Sequence, residues 1–208
     1  MPMRRDPLRH DLGALSRASQ ILLGIQAVVA GLSLANTYAR GFLIDDATTS
    51  LLGLLQIASF AVAGICVLIW TFRAKANTRT DGARDLLFSP TMAVASYFIP
   101  LLNLVMPLQA MREIYKASVD PRDWEAIAVP ALFGWWWAFW IAGNIAGLAT
   151  FRMATMEPGM VPADVVTNLA MASDVGTLLA SVLLMRGIGL VTGLQARRTS
   201  EPIVLRAR

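Results

Sequence analysis

Arg73 and Asn77 stand four residues apart, and Arg112 and Glu113 follow one another further along the chain. On a helix the first two share a face. An arginine beside an amide can hold a phosphate or a carboxylate, because the guanidinium is a planar fork of donors. The same pair also fits a simpler role, a cationic anchor at the cytoplasmic end of a membrane helix with an amide capping its last turn. Arg112–Glu113 poses the same choice, since Arg112 could instead pair with Asp81 or Asp85. Asn103, between Pro100 and Pro107, completes this candidate ligand-binding set. It can cap or hydrogen-bond backbone groups that the two prolines set free.

Asp174 is the acid inside the apolar run 165–185. An acid at mid-membrane costs at least about 2.5 kcal/mol by insertion scales. Two roles compete: a proton- or cation-linked group with Asn144, Asn168 and Ser173 as neighbours, or a protonated acid bonded between helices. Gly143 and Gly147 form a G-x-x-x-G, and Gly31 lies between Ala27 and Ala35 in a second small-residue stripe. Such stripes serve helix packing or dimerisation. The tryptophans of "GWWWAFW" (134–140) point about 100° apart on a helix and cannot all line one pocket, so an aromatic belt at the interface is the expectation. The sequence contains no H-E-x-x-H, G-x-S-x-G or P-loop, and "DGARD" (81–85) reads as a polar turn. Cys66 and His10 are single, which excludes an intrachain disulfide and a histidine/cysteine metal cluster. No metal, cofactor or enzymatic activity is expected.

The elements that must carry these residues are apolar helices. Of 208 residues, 56% are hydrophobic and only 15% charged, against about a quarter charged in soluble domains. Uncharged runs cover 18–39, 47–72, 86–111 and 126–151, each matching the roughly 20 residues that cross a bilayer. The first run is too long for a cleavable signal and reads as a retained span. The net charge of +4 comes from arginines flanking these runs, which suits anionic lipid rather than nucleic acid.

Basic residues mark cytoplasmic loops. If all five apolar runs cross, the 18 Lys and Arg divide evenly, 9 to a side; if 86–111 returns to its own side, they divide 16 to 2. The second arrangement also explains Pro100 and Pro107, each a break in a spanning helix. The expected fold is therefore all-α and polytopic, with four transmembrane helices near 17–37, 50–72, 128–151 and 164–186. Residues 89–111 form a Pro-broken re-entrant or interfacial segment, and both termini are cytoplasmic. Segment 112–125 is expected to continue as a short amphipathic helix. The basic segment 1–16 precedes the membrane domain 17–196, and a basic tail, 197–208, follows it.

Three stretches, "WTFRAKAN" (70–77), "FSP" (88–90) and "YFIPLLNLVMPLQAMREIYKAS" (97–118), resemble the bacterial DUF4328 membrane proteins. Asp123–Trp124, "GWWWAFW" and the ending "TGLQARR" are similar to further parts of that family, so the resemblance spans 70–198. "MRGIGL" departs from it, with glycines at positions where polar residues are expected. The resemblance implies a multi-pass protein of a bacterial cytoplasmic membrane and no assigned activity. Three functions remain open: binding or transport of a lipid or small amphiphile in a cytoplasmic-side cavity formed by the broken segment, a structural or accessory role through helix contacts with a membrane partner or a second copy, and an oligomeric channel.

Overall fold

The computed structural model describes residues 9–39, 46–157 and 159–200. Residues 1–8, the turn holding Arg40 and Asp45, and the tail beyond 200 lie outside the described residues, so the expectations placed on them are not addressed. Among the described residues every element is helical: α1 Gly13–Tyr38, α2 Asp46–Thr80, α3 Pro90–Ala95, α4 Met106–Val119, α5 Ala131–Ala154 and α6 Ala163–Ser200, with one 3-10 turn at Leu102–Leu104. Three of them, α1, α2 and α6, are long and apolar enough to cross a membrane. The chain forms two compact units. Among the described residues, one comprises 9–20, 65–133 and 186–200; the other comprises 21–39, 46–64, 134–157 and 159–185.

The long helices are inverted relative to soluble ones. On α1, Ser16, Ser19, Gln26 and Asn36 are buried, whereas Ile21, Ile25, Val28 and Leu32 are exposed. On α2, Leu54, Ile57, Phe60 and Ile65 face outward and Ala63, Trp70 and Ala74 face inward. Water would penalise such an arrangement, but hydrocarbon favours it, because a polar group in lipid must find its partner inside the protein. The sequence runs mark these helices as apolar without showing which face is buried.

In the first unit α2 ends in a defined stop. Gly82 has φ +96°, Gly82 N–H donates to Arg79 C=O and Ala83 N–H to Thr78 C=O, both at 3.0 Å. These are the two bonds of a Schellman cap, with glycine at the left-handed position. The "DGARD" turn is thus a helix terminator. Gly82→Ala is expected to cost about 1 kcal/mol, seen as a lower melting temperature in detergent, while Arg84→Ala beside it leaves that temperature unchanged.

Segment 86–111 is not one helix. Ser89 caps α3, its side chain accepting from Met92 N–H at 3.0 Å, and Pro90 opens the helix. The chain turns through 97–105, where Leu101 takes φ +68°, and returns as α4. Helices α3 and α4 pack through Phe88, Ala93 and Ala110, with Met92 and Met106 against them. One expectation needs correction here. Pro107 does not break a helix but starts one, in the first turn of α4, where its missing N–H costs nothing. Residues 112–119 do continue as an amphipathic helix, the C-terminal part of α4, which buries Glu113, Ile114, Ala117 and Ser118 and ends at Val119, just before Pro121.

Candidate functional site

The motif stretches meet in the first unit as a buried polar network. Trp70 Nε1 donates to Thr192 Oγ1 at 3.1 Å, joining α2 to α6. Two turns along α2, Asn77 Nδ2 donates to Gln195 Oε1 at 2.9 Å and to His10 C=O at 2.9 Å. Asn77 Oδ1 accepts from His10 N–H at 2.8 Å. Gln195 Nε2 in turn donates to Ser118 Oγ on α4 at 2.9 Å and to Ala74 C=O at 3.1 Å. Arg198 closes the end of α4, donating to Ser118 C=O at 3.0 Å and to Val119 C=O. Cations satisfy the last carbonyls of a helix in this way.

Beside this network lies a buried ion pair, Lys75 with Glu113, whose side chains are 0% and 3% exposed. The second carboxylate oxygen of Glu113 accepts from Leu87 N–H, which fastens the strap between α2 and α3. Arg9 and Asp81 pair at 2.8 Å and hold the same strap from the N-terminal side. Trp124 Nε1 donates to Arg84 C=O at 3.0 Å. Chemically this is a clamp: its amides and carboxylate are occupied by partners from the same chain.

The structure therefore divides the expected ligand set. Arg73 and Asn77 do not share a surface, because Asn77 is buried and Arg73 exposed. Arg112 and Glu113 likewise separate: Glu113 faces Lys75, whereas Arg112 is exposed. Asp81 belongs to Arg9, so the pairing of Arg112 with Asp81 is not formed. Asn103 caps nothing with its side-chain oxygen, which is buried and accepts no hydrogen bond. Pro100 is exposed in the turn. Lys75, Ser118 and Gln195 were missed as site residues. Their signal is positional: Lys75 lies one turn after Thr71 on the face that carries Trp70, Ala74 and Thr78, all buried.

In the second unit the glycines resolve as packing within the chain. A Cβ on Gly143 would stand 3.2 Å from Gly176 Cα on α6, and one on Gly147 would stand 2.8 Å from Ser173 Oγ. Gly31 sits in ordinary contact with Leu178. The partners expected for Asp174 are also corrected. Asn144 and Asn168 are exposed and Ser173 lies against Gly147. Asp174 accepts instead from Gln56 Nε2 of α2 at 2.7 Å and from the Ser33 hydroxyl of α1. No cluster of three or more metal-ligating His, Cys, Asp or Glu occurs among the described residues.

Of the tryptophans expected in an aromatic belt, Trp135 is 60% exposed, whereas Trp136 and Trp137 are buried within the protein. Trp137 stacks on Trp140 with centroids 4.6 Å apart. Of the glycines of "MRGIGL", Gly187 leaves room for Phe133, whose ring carbon would stand 3.0 Å from an added Cβ, whereas Gly189 is in ordinary contact with Gln20. Trp136→Phe, which leaves a void beside Trp137, is expected to cost about 1–2 kcal/mol. Pro107→Ala, in a helix first turn, is expected to cost less than about 0.5 kcal/mol. Melting temperatures of the two variants in one detergent check that order.

The family described as "Domain of unknown function (DUF4328)" matches residues 33–196. No curated protein and no solved structure matches the chain. The match covers well over half of the chain, from the last turns of α1 into α6, and the chain belongs to the DUF4328 family.

Proposed function

We propose that the protein is a four-span module of a bacterial cytoplasmic membrane that sets the hairpin 86–111 into the cytoplasmic leaflet and there engages a lipid or small amphiphile. The clamp around Lys75, Asn77 and Gln195 holds the hairpin in place, and both termini lie in the cytoplasm. α5 supplies the fourth span. Its 24 residues rise about 36 Å, more than the roughly 30 Å of hydrocarbon. Tryptophan and glycine lower its hydropathy, yet it points Ile145, Leu148 and Phe151 outward.

One observation carries this reading, the outer surface of the hairpin. Phe98 and Leu101, in the turn, are 71% and 80% exposed, more apolar surface than a tip bathed in water tolerates. Along α4 the exposed side then changes character, from Val105 to Gln109 to Arg112. Seven residues of helix rise about 10 Å, close to the depth at which interfacial helices sit between acyl chains and head groups. An apolar tip, an amide and a guanidinium match that gradient in order, and the guanidinium ends at phosphate level, where its fork of donors is effective. Partner docking through the glycine stripes is less favoured, because Gly31, Gly143 and Gly147 are covered by α6 of the same chain. A pore hairpin is less favoured as well, because the tip is apolar.

Spin labels on single cysteines at positions 101, 109 and 112, in a Cys66→Ala background in nanodiscs, test the depth. Collision with oxygen, which partitions into lipid, is expected to dominate at 101 and collision with a water-soluble nickel complex at 112. Aqueous exposure at all three positions would overturn the reading. Arg112→Gln is expected to reduce binding to vesicles of anionic lipid as fluorescent soluble phosphate analogues leave it unchanged.

A further inference from the structure

The second unit contains a buried polar cluster for which the hairpin has no use. Asp174 is 4% exposed and receives hydrogen bonds from Gln56 of α2 and Ser33 of α1. One turn from Ser33 on the same face of α1, Asn36 is 6% exposed. Its Nδ2 donates to Thr49 Oγ1 at 3.2 Å, while its Oδ1 is buried and accepts no hydrogen bond from the described residues. Thr49 itself is exposed, near the charged start of α2. A polar route thus runs from the surface at Thr49 through Asn36 and Ser33 to Asp174. The seven residues from Thr49 to Gln56 give it a depth of about 10 Å.

Among the described residues no charged group faces Asp174 from the helices around it. α1 is uncharged over 18–39, α2 over 47–72, and α5, which crosses α6 at Gly143, over 126–151. Along α6 the nearest charges are Asp164 and Arg186, about 15 and 18 Å away. A carboxylate so placed has to be neutralised. A hard metal ion requires several oxygen ligands, whereas the groups reaching Asp174 offer it an N–H and an O–H. A proton requires one oxygen. Donors aimed at a carboxyl favour its charged form and removal from water favours its neutral form. Asp174 experiences both, at 4% exposure and with hydrogen bonds from Gln56 and Ser33.

We propose that Asp174 is a reversible proton-binding site of the membrane domain, exchanging with water by way of Asn36 and Thr49. On release the O–H bond of the acid breaks, its electron pair stays on the carboxylate, and the proton passes to water. Asn36 Oδ1 supplies the acceptor that holds such a water near Ser33. The site lies wholly within the second unit and does not depend on the lipid reading of the hairpin.

Infrared difference spectra of the full chain in nanodiscs, recorded across pH in sodium-free buffer, test it. The expected result is a carboxylic C=O band that declines as pH rises, shifts in heavy water and is missing from Asp174→Asn. Asp174→Glu is expected to restore a titrating band, which separates loss of the acid from loss of the fold. Asn36→Leu is expected to slow the heavy-water shift without weakening the band at low pH. Gln56→Leu is expected to move the midpoint by about one pH unit, the scale of one hydrogen bond to a charged group. A band that neither titrates nor exchanges would make Asp174 a fixed packing acid and overturn the proposal. A band removed by sodium at constant pH would overturn it in favour of a cation site.

Discussion

Replacing Gly176 with leucine is expected to destabilise the protein by about 3 kcal/mol, the upper end of the usual cost of overpacking. The reason lies in the crossing of α5 and α6. A Cβ on Gly176 would stand 2.6 Å from Gly143 Cα, 2.9 Å from Gly143 N and 2.9 Å from Phe139 C=O. All three are backbone atoms, so no side chain can swing aside and the helices themselves must part. Parting them also unseats Ser173 from Gly147, a turn along the same interface. Gly176→Ala is expected to be nearly as harmful as leucine, because the first added carbon makes the clash. Gly24→Ala supplies the contrast: an added Cβ there meets nothing within 4 Å, and the gain in helix propensity is expected to stabilise by up to about 1 kcal/mol. Melting temperatures in one detergent compare the four proteins. Gly176→Ala behaving like Gly24→Ala would mean that the backbones do not meet at this crossing.

The sequence reveals the helices better than it reveals their contacts. Charge-free runs define α1, α2 and α5, and the run 165–185, interrupted by Asp174 alone, defines α6, because lipid-facing and protein-facing residues are both mostly apolar. For the same reason they do not show which face turns inward. The break at 97–105 is legible because Pro100, Asn103 and Pro107 crowd one run, yet the two helices flanking it are not, since α3 is only six residues long. Arg73, Asn77, Arg112 and Glu113 are legible as polar residues near apolar runs, but each neighbouring pair splits between outside and inside. The deciding factor is distant in the chain: Asn77 turns inward because Gln195, 118 residues away, receives it. Asp174 illustrates the same limit. Its acid is plain in the sequence, whereas Gln56 and Ser33, on two other helices, become its partners only through the fold.

Lys75→Met is expected to be the most damaging single change in the clamp, at about 3–5 kcal/mol. Removing one member of a buried ion pair leaves the other charge without compensation, and Glu113 would be that charge, at 3% exposure. Its remaining partner, Leu87 N–H, cannot neutralise it. Two segments would feel the loss: α4, which carries Glu113, and the strap that Glu113 fastens ahead of α3. Neutralising both partners should then recover much of the stability. In Lys75→Met with Glu113→Gln no charge is buried, and the amide oxygen still accepts from Leu87 N–H. The double variant is therefore expected to be more stable than Lys75→Met alone, which two independent losses cannot produce. Glu113→Gln alone should fall with Lys75→Met, since it strands an ammonium at a position 0% exposed. Thermal unfolding of the three variants measures the coupling. Strict additivity would show that Lys75 and Glu113 act separately; a rescued double variant would show that the clamp depends on charge balance more than on the charges themselves.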